Sequence, residues 1–281
     1  MTYQTLIDRL RLAKIESPEW DARLLIEHFF KADAMRYLID PHLEFVAPAE
    51  LEAAIVKRES RYPLQYILGE WQFYRQTYEV SPDCLIPRSD TEILVEEAIR
   101  TLPPSACFAD FCTGSGCIAI SVLAERPDLE AIAVDKFENT LSLAMRNAEK
   151  NGVRRRVAPI CADLLTCDVS SLAPLRSLDA ILCNPPYIPT AELSALEPEL
   201  DAEPRAALDG GEDGLIFYRT LLANAAPLLT KDGFFLFEIG YDQAEALRLL
   251  GAQYGFDGYR LLRDYGGNDR VVRLWRTNGI H

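Results

Sequence analysis

The tetrapeptide Asn184-Pro185-Pro186-Tyr187 directly follows the apolar run Ile181-Leu182-Cys183. The prolines cannot continue a strand, because they lack an N–H group and have a fixed φ angle. The chain must therefore turn and leave the Asn184 amide at the carboxyl end of the strand. Asn184 Oδ1 and the Pro185 carbonyl can accept the two hydrogens of a planar NH2 group, on which Tyr187 can stack. We predict a substrate site for such a group at all four residues, with Asn184, Pro185 and Tyr187 as catalytic residues; a tight structural turn is the alternative.

A second candidate site is the segment Asp110-Phe111-Cys112-Thr113-Gly114-Ser115-Gly116. It follows a predicted strand and opens a predicted helix, which is where a doubly wound sheet binds its ligand. The glycines allow the backbone to approach a ligand that a Cβ atom would exclude. The segment lacks the G-x-G-x-x-G pattern of dinucleotide-binding folds, so a purely structural turn remains open.

Two carboxylates indicate which ligand this turn would bind. Asp135 ends the next predicted strand, where a carboxylate can accept both hydroxyls of a ribose. Asp163 ends the strand after that and can accept from an adenine amine, with Leu164 beside the ring. No phosphate-binding G-x-x-x-x-G-K-[ST] motif occurs, which indicates an adenosine without phosphates. S-adenosylmethionine meets this description, with Asp110 available for its methionine ammonium group and its sulfonium directed at the tetrapeptide.

Hydrophobic periodicity divides the chain into three parts. Residues 1–64 carry apolar side chains at spacings of three and four, which predicts a domain of four or five short helices. The period falls to two within residues 65–87, which predicts a β-hairpin linker. Residues 88–281 alternate short apolar strands with helices, which predicts an α/β domain with a doubly wound, mostly parallel sheet that has an antiparallel edge. Ser89 or Asp90 is expected to cap the first helix of this domain.

Composition limits the possible functions. The chain has 281 residues, 49% of them hydrophobic, as expected for a globular protein with two domains. No segment approaches the ~20 apolar residues of a membrane span, and the first residues do not resemble a signal peptide. We therefore expect a cytoplasmic protein without a membrane partner. The seven cysteines and three histidines form no catalytic or metal-ligating pattern, so no metal site is predicted.

The net charge of −14 argues against nucleic acid as a direct partner. Acidic side chains dominate residues 191–213, just after the tetrapeptide, where Arg205 is the only base. Such a surface repels phosphate backbones. An amino methyltransferase that acts on nucleic acid nevertheless stays an alternative. The exocyclic amine of a base, which such an enzyme would methylate, presents the same planar donor pair as an amide.

The chain resembles the HemK/PrmC family of protein-(glutamine-N5) methyltransferases that act on peptide chain release factors. The resemblance covers nearly the whole chain. Its Q-Y-I-x-G and L-I-P-R blocks are specific to the family, whereas N-P-P-Y is shared with amino methyltransferases that act on bases. The matching blocks are Pro63–Gly69 with Phe73, Leu85–Arg88 with Thr91–Val95, Thr113–Gly116, Asn184–Ile188, Glu203-Pro204 with Ala207-Leu208 and Gly210-Gly211, and Asp264–Gly266 with Arg270.

The resemblance implies a reaction and its components. They are a class I S-adenosylmethionine-dependent methyltransferase fold with a seven-stranded sheet, S-adenosyl-L-methionine as cofactor, and the glutamine of the release factors' Gly-Gly-Gln loop as substrate. The product would be S-adenosyl-L-homocysteine, the helical domain would hold the release factor, and a monomer is expected. Cys112 departs from the family's usual glycine, and Ser89-Asp90 from its commoner Pro-Glu. The implied cofactor positions are Cys112, Thr113, Gly114, Ser115, Gly116, Asp135, Leu164 and Asn184.

This interpretation predicts that the enzyme acts mainly by holding the substrate nitrogen in the correct position. A carboxamide nitrogen is a poor nucleophile, so two oxygen acceptors would hold it in a near-attack geometry. A strong general base is not required. Two further alternatives stay open, namely a glutamine methyltransferase of a ribosomal protein and a non-catalytic adaptor that has kept the fold.

Overall fold

The computed structural model of the chain describes residues 1–167, 172 and 177–277. They form two compact units. The smaller unit contains Met1–Glu70 together with Leu196–Glu203, and the larger unit contains the rest. The last residues of the predicted third domain, 278–281, lie outside the described part. No helix among the described residues is long and apolar enough to cross a membrane.

The smaller unit contains the helices predicted from periodicity. The apolar faces of these helices meet in one core that includes Leu6, Leu25 and Ile55, all fully buried. Pro18 lies in the first turn of the second helix, where its missing N–H group costs no hydrogen bond. The helices are α1 Tyr3–Leu12, α2 Pro18–Phe30, α3 Ala34–Ile39, α4 Ala49–Glu59 and α5 Leu64–Leu68.

The hairpin is shorter than the sequence predicts. Residues 65–68 belong to α5, whose Leu64, Ile67 and Leu68 pack into the helical core. Gly69, with φ of 75°, ends this helix in the left-handed conformation. Strands β1 Glu70–Phe73 and β2 Gln76–Glu79 then pair with each other. The prediction was wrong for 65–68 because so short an apolar run fits one helical turn as well as a strand.

The larger unit is built on the predicted seven-stranded, mostly parallel sheet. Its strands are β3 Cys107–Phe111, β4 Glu130–Asp135, β5 Val157–Cys161, β6 Leu178–Cys183, β7 Leu229–Glu238, β8 Gly258–Arg263 and β9 Asp269–Trp275. They lie in the order β5-β4-β3-β6-β7-β9-β8. The first five strands in this order are parallel, and β9 runs antiparallel to both β7 and β8. Because the strand order reverses between β3 and β6, a ligand is expected beyond the carboxyl ends of these two strands.

Helices cover both faces of this sheet. Alternate residues of a strand point to opposite faces, and Leu182 and Ile181 accordingly belong to two different apolar clusters. Of the five α-helices of the larger unit, the first three in chain order contribute to the cluster that contains Leu182. The last two contribute to the cluster that contains Ile181. The helices are α6 Glu92–Thr101, α7 Cys117–Glu125, α8 Glu138–Lys150, α9 Ile216–Asn224 and α10 Ala244–Gln253.

Candidate functional site

A cavity of about 290 Å³ lies beyond the carboxyl ends of β3, β4 and β6, entirely within the larger unit. Its volume is near the lower end of the roughly 300–1,000 Å³ of small-molecule sites. Four predicted site residues do not line it: Asp110, Gly116, Pro185 and Tyr187. Nine others do, namely Cys112, Thr113, Gly114, Ser115, Asp135, Asp163, Leu164, Asn184 and Pro186.

The glycine turn contains three residues with positive φ, namely Cys112 at 58°, Gly114 at 56° and Gly116 at 81°. A Cβ atom on Gly116 would approach Ile120 Cδ1 to 2.8 Å and Ala144 Cβ to 3.2 Å. Gly116 is therefore required by the packing of α7 against α8, whereas Gly114 faces the cavity. Cys112 adopts the left-handed conformation even though it has a Cβ atom. The glycine that is usual here in the family would adopt this conformation without strain.

Asp110 lies beneath the turn and is fully buried. Its Oδ2 accepts hydrogen bonds from the Thr113 hydroxyl at 2.7 Å and the Ala119 N–H at 3.1 Å. Its Oδ1 accepts none from the described residues, and the buried Ser115 Oγ likewise has no partner there. Burial raises the pKa of Asp110 to about 7, and the Asp135 charge adds to this effect. Asp110 thus holds the turn in place and retains one free acceptor.

The two other predicted carboxylates lie on the cavity wall. Asp135 accepts from the Gly114 N–H at 3.0 Å and the Phe137 N–H at 3.2 Å, and burial raises its pKa. Asp163 pairs with Lys136 Nζ at 3.0 Å. Burial alone would raise the pKa of Asp163, but the hydrogen bond from Lys136 brings it below its usual value. The pairing with Lys136 is a feature that the sequence analysis missed.

The tetrapeptide begins where β6 ends, as predicted. Asn184 Nδ2 donates to Thr91 Oγ1 at 3.2 Å. Thr91 lies in a short 3₁₀ turn, Ser89–Thr91, that precedes α6. The predicted helix cap by Ser89 or Asp90 is wrong, because these residues form that turn and the Asp90 carboxylate pairs with Arg270 at 3.3 Å. Asp264 also pairs with Arg270, at 3.0 Å.

Gln243 anchors the other end of the tetrapeptide and was missed by the sequence analysis. Its Nε2 donates to the Tyr187 carbonyl at 2.9 Å, while its Oε1 accepts from the Gly240 N–H at 3.0 Å. Gly214 packs directly on the same carbonyl, where a Cβ atom would lie 2.3 Å from Tyr187 O. The available signal was the polar pattern Glu238-Ile239-Gly240-Tyr241-Asp242-Gln243, which begins at the carboxyl end of β7.

Comparisons with known proteins show which family the chain belongs to. Residues 3–69 match the family model described as PrmC N-terminal domain, and residues 89–212 match the methyltransferase small domain. The release factor glutamine methyltransferase of Moorella thermoacetica is 39% identical over 96% of this chain and 95% of its own length. That of Geobacter sulfurreducens is 42% identical over 80% of this chain and 78% of its own length. The chain belongs to the release factor glutamine methyltransferase family.

A solved structure supports the fold of this family member. The ribosomal protein L11 methylase of Lactobacillus delbrueckii subsp. bulgaricus gives a TM-score of 0.50 at 20% identity, over 71% of this chain and 84% of that chain. At this identity the likeness concerns the fold alone. The matching family models and relatives confirm the family resemblance seen in the sequence, and the likeness to this structure confirms the predicted class I methyltransferase fold.

Proposed function

We propose that this protein is an S-adenosyl-L-methionine-dependent enzyme that methylates the side-chain amide nitrogen of the glutamine in the Gly-Gly-Gln loop of release factors. The observation that carries the proposal is the position of Asn184. Its amide lies on the wall of the cavity, at the point where the strand order reverses, in a chain of the release factor glutamine methyltransferase family. We also propose that the enzyme acts in the cytoplasm as a monomer.

The cavity residues fit the cofactor. Asp135 retains acceptor capacity for ribose hydroxyls, and Asp163 with Leu164 offers an acceptor and an apolar surface for adenine. The Ser115 hydroxyl on the cavity wall suits the polar methionine end, and the free Asp110 Oδ1 lies beneath the same turn. Bound there, S-adenosyl-L-methionine supplies an electrophilic methyl group. Cys112, Thr113, Gly114 and Gly116 complete the turn against which it would lie.

The tetrapeptide would align the substrate. Asn184 Oδ1 and the Pro185 carbonyl would accept the two N–H groups of the glutamine amide, which directs the nitrogen lone pair toward the cavity. Pro186 lines the cavity, and Tyr187 packs against the apolar cluster below it. Tyr187 would cover the amide plane and exclude water. Gln243 supports this arrangement by fixing the Tyr187 carbonyl.

The structure offers little support for a nucleic-acid substrate. The basic run Arg154-Arg155-Arg156 is partly used inside the protein, since the Arg156 guanidinium donates to the carbonyls of Leu123, Arg126 and Leu129. The charge of Arg156 is therefore directed at the protein's own backbone and not at a phosphate chain.

Replacing Asn184 by alanine tests the proposal. With purified release factor and labelled S-adenosyl-L-methionine, we expect Asn184→Ala to lower kcat by at least about 10²-fold, the usual cost of one lost catalytic hydrogen-bond partner. The exposed Asn224 at the end of α9 provides a control, and Asn224→Ala should keep wild-type kcat. Wild-type kcat in Asn184→Ala, or labelling of tRNA in preference to release factor, would refute the proposal.

A further inference from the structure

The amide of Asn184 can face the cavity with either its oxygen or its nitrogen. The proposed reaction requires the oxygen, because the substrate amide brings hydrogens. Cys183 pairs with Phe237 across the parallel strands β6 and β7, so the next residues, Asn184 and Glu238, are neighbours at the strand ends. Glu238 is therefore placed to decide which way the amide faces.

Asn184, Thr91 and Glu238 form a hydrogen-bonded group. Hydrogen bonding from the Thr91 hydroxyl and from the Asn184 side chain lowers the pKa of the Glu238 carboxyl group, whose Oε2 has no partner among the described residues. Asn184 Nδ2 also donates to Thr91 Oγ1 at 3.2 Å. Thr91 and Glu238 are each only 2% exposed, so water does not replace these contacts. An ionised carboxylate can only accept, and Thr91 has a single hydrogen to donate. Asn184 can donate to the Glu238 carboxylate and to the Thr91 hydroxyl oxygen only through its nitrogen.

We infer that Glu238 and Thr91 are positioning residues for methyl transfer, which hold the nitrogen of Asn184 and so direct its Oδ1 at the substrate amide. This inference rests on the proposed function, in which Asn184 touches the substrate. Glu238 itself does not line the cavity and acts through Asn184.

Glu238 must be ionised to hold the Asn184 amide in this orientation. Burial raises its pKa to about 7, while the hydrogen bond from Thr91 and the charge of Arg270 oppose the shift. A protonated Glu238 carries a hydrogen that can bond to Asn184 Oδ1, so the amide is no longer held in one orientation. We therefore expect kcat to fall below about pH 7. Among the described residues, the charged or titratable groups that face Glu238 are Arg270 on β9, Asp90 before α6, Cys183 at the end of β6, Tyr187 in the tetrapeptide that follows it, Cys117 on α7 and Tyr218 on α9.

The first experiment compares Glu238→Gln, which keeps the size of the side chain but adds donors, with Thr91→Val, which removes the hydroxyl. Each should lower kcat about 10- to 100-fold, because a misdirected Asn184 amide would misalign the substrate nitrogen. The KM for release factor should change much less. Glu97, an equally buried carboxylate that pairs with Arg100 and Arg273, provides the matched control. Glu97→Gln should keep kcat and its pH dependence.

The second experiment repeats Glu238→Gln in the Asn184→Ala protein. If Glu238 acts through Asn184, the added substitution costs nothing further, because the group that it positions is already gone. An equal fold-loss in both backgrounds would overturn the inference, as would wild-type kcat in both Glu238→Gln and Thr91→Val. The effect of Asn184→Ala alone reports separately on the proposed function. Should Glu238→Gln not fold, Thr91→Val in the two backgrounds answers the same question.

The pH profile gives an independent readout. The wild-type loss of kcat below about pH 7 should be absent from Glu238→Gln. The pKa of Asp110 is also about 7, and Asp110 is retained in the variant. An unchanged acidic limb in Glu238→Gln would therefore assign the limb to Asp110 and overturn the role given to Glu238 ionisation.

Discussion

Asp110 shows how one residue can serve the site at the expense of stability. Its folded pKa of about 7 lies above the ordinary value of 3.8. Between these two values the folded protein binds more protons than the unfolded chain, so this carboxyl group lowers stability as the pH rises from 4 to 7. The free Oδ1 is the feature that makes Asp110 both costly to bury and able to accept from a ligand.

We therefore expect Asp110→Asn to stabilise the protein without ligand and to weaken binding of S-adenosyl-L-methionine. Asparagine keeps an acceptor for Thr113 and Ala119 without a buried charge. The gain in the free energy of unfolding should be about 2 kcal/mol or more at pH 8 and smaller at pH 5. Urea unfolding and calorimetric titration of the ligand would measure the two effects.

The carboxyl group of Asp128 changes stability with pH in the opposite direction from that of Asp110. The hydrogen bond from Arg126 lowers the pKa of this exposed carboxyl group, so its contribution is present at neutral pH and disappears in acid. Asp128→Asn should therefore reduce stability at pH 8. A destabilised Asp110→Asn protein at pH 8 would contradict the account given for Asp110.

The left-handed backbone at Cys112 leads to a prediction about stability. A β-branched side chain tolerates this conformation poorly, and Cys112→Val should cost about 2 kcal/mol of stability. Cys161→Val is the control, because Cys161 is exposed and lies in the extended strand β5. Thermal unfolding measures both. Equal changes of Tm in the two variants would show that the backbone at Cys112 carries no special strain.

At the scale of elements, the loop that contains Gly214 fixes the tetrapeptide by close backbone contact. We expect Gly214→Ala to displace the Tyr187 carbonyl and to lower kcat at least about 10-fold, because small misplacements of aligned groups are costly. Gly255→Ala is a matched control, since Gly255 has a φ of 81°, close to the 72° of Gly214, but a Cβ atom there would meet nothing within 4 Å.

Both substitutions share the cost of a Cβ atom at positive φ, roughly 1 kcal/mol. Gly214→Ala should therefore lose more stability than Gly255→Ala and should alone lose activity. Comparable kcat values in the two variants would mean that the contact with Tyr187 does not position the site.

The sequence predicted the elements of the larger unit well, because buried parallel strands are short apolar runs that alternate with helices. The apolar pattern of residues 215–229 predicts a single helix, but α9 ends at Asn224 and Pro227 follows in a separate 3₁₀ turn. The apolar run after Gly233 predicts a strand that starts there, whereas β7 begins at Leu229. Boundaries of this kind depend on which turn the backbone adopts, and apolar periodicity does not encode that.

The candidate site was predicted in part. The glycine turn, Asp135 and the tetrapeptide carry local signals, because each follows a strand directly. Thr91 and Glu238 were missed because their hydrogen bonds to Asn184 join segments distant in sequence, and neither residue belongs to a motif with a known spacing. Only the register of β6 against β7 brings Glu238 beside Asn184.

At the scale of the whole molecule, part of the acidic stretch belongs to the smaller unit. Arg58 pairs there with Asp21 at 2.6 Å and with Glu199 at 3.1 Å, and Arg61 pairs with Glu199 at 2.7 Å. Asp21 and Arg58 are both buried. Composition alone counts Glu199 as one more surface charge, whereas the structure shows it neutralising two arginines.

We expect Glu199→Gln to destabilise the smaller unit by about 1–2 kcal/mol, because it leaves the buried Arg58 with one carboxylate partner instead of two. Glu192→Gln, at an exposed position of the same acidic stretch, should have no measurable effect. Chemical denaturation of both variants provides the measurement. Equal stability of Glu199→Gln and the wild type would show that these ion pairs add nothing.

The smaller unit is built from two separate segments of the chain, and this determines what proteolysis can release. A protease that cuts the peptide bond between Glu70 and Trp71 would not release the helices, because residues 196–203 remain covalently part of the other fragment and still bind Arg58 and Arg61. The nicked protein should migrate as one species on a native gel and separate into two bands only in detergent.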